Sequence, residues 1–432
     1  MSTKRCQHTE AADIIVCKHI YNRTSTDGIK RFSGEGTRAE YICKRCAEKK
    51  LFAPHYLCKG CIKQREEDGW FRREGKPGIR CRTEPFQFTR REFTTNLFNG
   101  SRILAFAPLH GSSAAVVFDA DGRLLQIDLK TQASRLVAEY RHELIRRDGA
   151  IRLLVSPDNC YAAITSLVYR GEDYTGNKGV VVELAAGRRV LNLDCGDYHT
   201  EHTLFPVAFV EQAGRMLVIH ATDWNRLDIT DLESRVCLTE RDMEELPERD
   251  NESLFTEWYG ELCISPDRQR IATIGWMWHP VGVAFSWDLQ TWLTENVWEA
   301  DIGLSKKSYA IWDYFWDSPF FWLDNRHLCI WGLEDLQAAN DIPLDSVAVY
   351  DACTEELLDW FPGPTMDTFI YDEWLFSGSR EQDDTLTVWS VADGTLLHTE
   401  PGINPNTYHP VTREFVRFTE EGTMELHHWE KI

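Results

Sequence analysis

The sequence predicts a mainly β chain: a seven-bladed β-propeller that follows a small cysteine-rich module. Three observations predict it. Short β-rich runs alternate with turns, and no long amphipathic helix interrupts them. An apolar strand closing on an acidic or polar residue recurs seven times, and seven of the 13 cysteines fall at or before Cys81. The chain has 432 residues. At roughly 100–200 residues per domain this allows two or three domains, or one large domain with an appendage. With 43% apolar and 12% aromatic residues, it is neither mainly disordered nor collagen-like.

The repeated strand reads Leu124-Leu125-Gln126-Ile127-Asp128-Leu129, Val181-Val182-Glu183-Leu184 and Leu227-Asp228-Ile229-Thr230-Asp231-Leu232 in its first three copies. It continues as Ala284-Phe285-Ser286-Trp287-Asp288-Leu289, Val347-Ala348-Val349-Tyr350-Asp351, Leu386-Thr387-Val388-Trp389-Ser390 and a truncated Met424-Glu425-Leu426-His427-His428-Trp429. Residues 128, 183, 231, 288, 351, 390 and 427 align at intervals of 55, 48, 57, 63, 39 and 37. Such intervals suit blades with loops of variable length. Ser156-Pro157-Asp158 and Ser265-Pro266-Asp267 mark turns between inner strands, because proline fixes φ and aspartate accepts local backbone bonds. Phe321-Trp322-Leu323-Asp324 is a looser copy.

Taken together, these repeats resemble WD-repeat β-propellers over approximately residues 86–432. Trp287-Asp288 is the clear Trp-Asp pair at its expected place. The last copy stops near Trp429 and leaves no sequence for its outer strand. A strand from about 86–97, either Phe86-Gln87-Phe88-Thr89 or Glu92-Phe93-Thr94-Thr95, is expected to supply it and seal the exposed edge. The expected organisation is therefore a basic module and linker over 1–82, then an acidic propeller over 83–432.

Charge follows the same division. The whole chain carries −21, but residues 1–82 hold 19 Lys/Arg and 10 Asp/Glu, net +9, which leaves −30 on the remainder. The first region reads Cys6-x-His8, Cys17-x-His19, Cys43-x-x-Cys46 and Cys58-x-x-Cys61. Paired Cys-x-x-Cys motifs across a hairpin complete a tetrahedral thiolate site, so Cys43, Cys46, Cys58 and Cys61 are expected to hold one zinc. Cys6, His8, Cys17 and His19 form a second site or interleave with the later pairs, giving one ion or two. His55 and Cys81 are bystanders. The arrangement resembles small zinc-binding modules of uncharacterised bacterial proteins over about residues 6–62, which implies Zn2+ and no particular reaction. Lys44, Arg45, Lys49, Lys50, Lys59 and Lys63, with Phe52, Tyr56, Trp70 and Phe71, leave nucleic-acid association through this module as an alternative.

Several acidic insertions converge on one face of the expected ring, where loops from outer to next inner strands meet loops linking second and third strands. They carry Glu172, Asp173, Asp242, Glu244, Glu245, Glu334, Asp335, Asp341, Glu381, Asp383 and Asp384. Nine of 16 tryptophans lie between Trp276 and Trp331. The stretch Trp312-Asp313-Tyr314-Phe315-Trp316-Asp317 is read as an inserted connection whose Trp312, Asp313, Trp316 and Asp317 anchor a partner; Asp223-Trp224 could join this surface. An acidic face raises encounter rates with a basic protein and repels nucleic acid.

Outside the module, Cys195, Asp197, His199 and His202 form the most suggestive polar cluster, and His199-x-x-His202 could supply two imidazoles to a metal. There is no Gly-x-Ser-x-Gly elbow, phosphate-binding glycine loop or His-Glu-x-x-His motif. The expected function is a non-catalytic scaffold, adaptor or inhibitor that binds a basic protein. A hydrolase-like or small-molecule-binding propeller is a further alternative. Singly scattered later cysteines and a start without an apolar signal core predict a reducing cytoplasm. No apolar run approaches the roughly 18–20 residues that span a bilayer.

Overall fold

Runs of β-branched and aromatic residues separated by turn residues pair as antiparallel sheets. The computed structural model describes residues 79–140, 151–170, 173–242, 257–277, 281–313, 315–332, 345–379 and 384–432. It also describes the backbone of five earlier strands, Ala12–Cys17, Gly28–Phe32, Ala39–Cys43, Pro54–Cys58 and Phe71–Arg72. The chain divides into two units, the first containing Met1–Gly78 and the second Ile79–Leu333 with Leu344–Ile432. In the first unit the five strands form one sheet in the order Pro54–Cys58, Ala12–Cys17, Ala39–Cys43, Gly28–Phe32, Phe71–Arg72.

The second unit is a seven-bladed β-propeller among the described residues. Blade 1 runs from Ile103–Pro108 to Ser134–Glu139, blade 2 from Arg152–Val155 to Arg188–Asp194, and blade 3 from Val207–Gln212 to Arg226–Asp231. Blade 4 ends on Lys307–Asp313, blade 5 runs from Phe320–Trp322 to Leu357–Pro362, and blade 6 from Thr368–Asp372 to Thr395–Glu400. The fourth strand of blade 3 is reduced to a single bridge, Thr230 to Cys237. First strands touch between blades 1 and 2, 3 and 4, and 4 and 5. Arg188–Asp194 touches Arg215–Asp223 between blades 2 and 3, Phe321 packs on Phe369 between blades 5 and 6, and Tyr408 donates to Asp372 between blades 6 and 7. Thr407–His409 of blade 7 touches Ile103–Pro108 of blade 1, so the ring closes.

Closure uses one strand from the front of the unit. Phe86–Phe93 pairs antiparallel with Met424–Lys431, from Phe86 opposite Lys431 to Phe93 opposite Met424. It supplies the missing outer strand of blade 7. Phe86 and Phe93 are seven residues apart and so point to opposite faces of the sheet. Phe86 packs with Phe376, Tyr408, Phe415 and Trp429, whereas Phe93 packs with Phe98, Ile103, Phe106 and Met424. The strand is thus held from both neighbouring blades. Just before it, Arg80–Cys81 pairs parallel with Thr395–Leu396 and adds a fifth strand to blade 6.

The repeated acidic residues terminate third strands by capping turns. Asp128 Oδ1 accepts from the N–H groups of Lys130 and Thr131, Asp231 Oδ1 from Glu233 and Ser234, and Asp351 Oδ1 from Cys353 and Thr354. Four residues beyond the aligned position, Gln132, Gly187, Arg235, Glu355 and Gly394 all have φ between 60° and 64°. Gly187 has a packing reason as well: a Cβ there would meet the Val137 carbonyl oxygen at 2.0 Å. The two Ser-Pro-Asp turns repeat their bonds too. Tyr161 N–H donates to Ser156 Oγ and Arg270 N–H to Ser265 Oγ, each at 2.9 Å.

Blade 4 departs from the expected layout. Asp288 caps helix α1, Leu289–Thr294, by accepting from Thr291 N–H at 2.6 Å, and helix α2, Glu299–Ile302, follows. These helices sit between the third and fourth strands and, together with the 332–345 connection of blade 5, lengthen the interval to 63 residues. They also correct the reading of Trp312 and Asp313 as part of a connection: both belong to the outer strand Lys307–Asp313 and pair opposite Gly282 and Val281. The connection to blade 5 starts after them.

A buried ion network ties α2 to blade 3. Arg241 donates to Asp228 at 2.7 Å and Asp301 at 2.8 Å, with all three side chains almost wholly buried. Burial holds the Asp301 carboxyl above its usual range despite the arginine. Among the described residues, no helix is long and apolar enough to cross a membrane.

The closing strand yields a direct test. Phe93→Ala should lower propeller stability by about 3–5 kcal/mol, the usual cost of emptying a buried phenylalanine site. Glu92→Ala, on the exposed side, should stay within about 0.5 kcal/mol. Denaturant midpoints of the two variants check the difference.

Candidate functional site

The connection from blade 2 to blade 3, residues 195–206, is drawn onto the ring by specific bonds. Cys195 Sγ donates to the Asn177 carbonyl at 3.3 Å, Asn177 Nδ2 donates to the Thr203 carbonyl at 3.3 Å, and Thr200 Oγ1 donates to the Gly196 carbonyl at 3.0 Å. Gly176 permits this close approach. At its φ of 121°, an added Cβ would lie 2.5 Å from the Gly196 carbonyl oxygen. From the other side, the Trp258 indole N–H donates to the Tyr198 carbonyl at 2.8 Å.

Around this loop the structure gathers aromatic rings from separate parts of the chain. Trp258 and Trp276 are register partners on adjacent strands of blade 4, with ring centroids 4.3 Å apart. Trp224, from the turn between the second and third strands of blade 3, lies 4.6 Å from Trp258 and 5.1 Å from Tyr198. His202 lies 4.6 Å from Trp276 and 6.2 Å from Trp316. The inner rings are buried, Trp258 at 2% and Trp276 at 7%, whereas Tyr198 is 49% exposed. Exposed Asp197, Asp223 and Asp317 lie in the loops that carry these rings.

Asp317, His202, Glu201, Arg152 and Asn177 line a pocket of about 190 Å³ next to the rings. Asp317 keeps contact with solvent, but protein encloses its pocket side. That partial burial, followed by repulsion from Glu261, pushes its carboxyl up to about 6. Glu201 Oε1 lies 3.6 Å from His199 Nδ1 and 3.5 Å from His202 Nε2. Cys195 does not join this group. Its thiol faces inward, is pushed up to about 12 by burial, and serves as a loop anchor.

The expected partner-binding residues separate into those brought together here and those placed elsewhere. Trp316 and Asp317 join the site, as does the Asp223-Trp224 turn. Asp384 belongs to blade 6, where it accepts from Asn404 Nδ2 at 3.0 Å and pairs with Arg417 at 3.8 Å. Asp242 is exposed beside the buried Arg241. Glu244, Glu245, Glu334, Asp335 and Asp383 lie outside the described residues, as do Cys6, His8, His19, Cys46 and Cys61. Cys17, Cys43 and Cys58 each end a strand.

Sequence reasoning missed Tyr198, Glu201 and the Trp258–Trp276 pair as members of one site. Glu201 was legible in principle, because it sits between the two histidines of His199-Thr-Glu-His202. The tryptophan pair was not, since its proximity depends on strand register. In comparison with known proteins, no protein-family model and no curated protein matches the chain.

Gly176→Ala tests whether loop placement builds the site. The clash and unfavourable φ should cost about 1–3 kcal/mol and shift the tryptophan emission spectrum. Gly111→Ala also has positive φ, 68°, but meets nothing within 4 Å. It should leave the emission spectrum unchanged.

Proposed function

We propose that this protein is a non-catalytic binding protein whose propeller holds a basic protein, with a lysine or arginine of the partner seated at Tyr198 and Trp224. The observation that carries this reading is the continuous set of ring contacts from Tyr198 through Trp224, Trp258 and Trp276 to Trp316. A cation over such ring faces gains about 0.5–2 kcal/mol, more when desolvated. Buried inner rings hold the outer ones in place, so little side-chain freedom is lost on binding. Asp197, Asp223 and Asp317 add an attractive field that accelerates encounter. The resemblance to WD-repeat propellers is consistent with a binding platform, and scaffold, adaptor and inhibitor are all compatible with it.

We further infer that the Met1–Gly78 unit holds two zinc ions in a crosswise arrangement. Ala12–Cys17 and Ala39–Cys43 are parallel neighbours, so Cys17 and Cys43 finish at the same end of the sheet. Cys58 pairs with Ala12 on an antiparallel strand, at the other end. Five strand residues span about 16 Å, too far for Cys17 and Cys58 to share an ion directly. This register supports Cys17, His19, Cys43 and Cys46 around one zinc and Cys6, His8, Cys58 and Cys61 around the other. It disfavours the all-cysteine quartet expected from spacing alone. Closed four-ligand sites of this kind brace a segment too small for its own core.

Binding of a lysine- and arginine-rich peptide, followed by tryptophan fluorescence, tests the first proposal. Tyr198→Ala with Trp224→Ala should weaken it by about tenfold, within the range of a cation–π contact. An unchanged affinity in the double variant overturns the proposal. Binding should also weaken as pH falls through about 6, because Asp317 loses its negative charge there, and Asp317→Asn should flatten that dependence.

Cobalt substitution tests the second proposal. Cys17→Ser and Cys43→Ser should each remove the same part of the thiolate–cobalt absorption, and the double variant should remove no more. If Cys43→Ser instead behaves this way with Cys58→Ser, the all-cysteine quartet holds.

A further inference from the structure

We propose that His199, Glu201 and His202 form a second kind of metal site, which takes a single first-row divalent cation of the zinc type. One donor atom from each residue lies within 4.8 Å of the other two. Two of the separations are more informative than that limit. Glu201 Oε1 stands 3.6 Å from one imidazole nitrogen and 3.5 Å from the other. These are long for charge-assisted hydrogen bonds, which fall near 2.7–2.9 Å. They are close to the edge of a tetrahedron with zinc–ligand bonds of 2.0–2.1 Å, which is about 3.4 Å. The carboxylate therefore stands from each imidazole as it would if all three shared an ion.

A second observation is independent of those distances. The other carboxylate oxygen, Glu201 Oε2, is buried and has no hydrogen-bond partner among the described residues. A desolvated anionic oxygen without a donor calls for a compensating charge, and a cation held by the same carboxylate provides one. The donor set suits the assignment: two imidazoles and one carboxylate are a zinc-type combination, and hard-cation sites use oxygen instead.

Packing orients the ligands. The His202 ring lies 4.6 Å from Trp276, and the His199 ring lies 6.0 Å from Trp276 and 6.3 Å from Trp258. Three protein ligands leave a fourth coordination position. Glu201 and His202 both line the pocket that also holds Arg152, Asn177 and Asp317. The fourth ligand is therefore water or a small anion that enters from this pocket. This assignment uses imidazole nitrogens and a carboxylate, not the ring faces proposed to hold a cationic side chain, so the two readings stand or fall separately.

Cobalt(II) titration of the full chain, followed by tryptophan fluorescence, tests the site, because a bound paramagnetic ion quenches nearby indoles. Wild type should show a saturable quenching phase that His202→Ala and Glu201→Gln each shift to at least tenfold higher Co2+. Thiolate–cobalt absorption from the amino-terminal cysteines should be the same in all three proteins. Glu201→Gln keeps both imidazoles and nearly the same shape, so it reports on the ion even if His202→Ala perturbs the loop. Quenching curves that coincide for wild type and Glu201→Gln overturn the proposal.

Discussion

The antiparallel pairing of Phe86–Phe93 with Met424–Lys431 is the constraint on which the propeller depends. Without it, blade 7 would expose the edge of Met424–Lys431, and blade 1 would lose the packing of Phe93 against Ile103 and Phe106. Polar contacts reinforce the same join. Arg91 donates twice to Glu414, at 2.6 and 2.9 Å, and Lys431 pairs with Glu84 at 2.7 Å. Joining residues more than 300 positions apart carries a large loop-closure entropy, although that cost grows only slowly with length. A buried phenylalanine at each end of one strand offsets it by hydrophobic contact on both faces of the sheet.

Ring closure matters for the site because no single blade contains it. The loop at 195–206 comes from the joint of blades 2 and 3, Trp224 from a turn of blade 3, Trp258 and Trp276 from blade 4, and Trp316 from the connection into blade 5. Their spacing follows from how those blades are fixed beside one another. The Arg241–Asp228–Asp301 network contributes here, since it joins blade 3 to the inserted helices of blade 4. Loss of this guanidinium would leave the buried Asp301 carboxylate without its ion-pair partner, whereas Asp228 would keep Arg226 at 2.7 Å, so the bond to Asp301 is the one that fixes the helices against blade 3.

The fold was legible wherever local chemistry repeats. Asp128, Asp231 and Asp351 signal their turns in sequence because the same carboxylate oxygen accepts two successive N–H groups each time. The Ser-Pro-Asp turns were legible for the same reason. Blade 4 was harder, since α1 and α2 postpone its outer strand and make Trp312 resemble part of a loop. The tryptophan pair at 258 and 276 was illegible for a different reason: 18 positions separate the residues, and only the pairing of their strands makes them neighbours. Cys195 misled because a sequence shows polarity but not direction, and its thiol turns into the core.

The charge of the propeller also acquires a different meaning once its ion pairs are known. Near the site, Asp194 is engaged by Lys178, Glu257 by Lys306 and Glu261 by Arg152. Asp384, expected to contribute to the acidic face, is engaged by Arg417 in another blade. Asp197 and Asp317 stand apart, because neither makes a hydrogen bond or ion pair among the described residues. They flank the ring cluster in sequence, one beside Tyr198 and the other beside Trp316. Distant surface charges are screened within about 8 Å at physiological salt, so a net −30 spread over the ring has little bearing on one contact. Two uncommitted carboxylates beside a set of exposed and supported aromatic rings have much more. For the basic partner proposed above, sequence-wide acidity would favour approach, and this small group of residues would set where the partner is held.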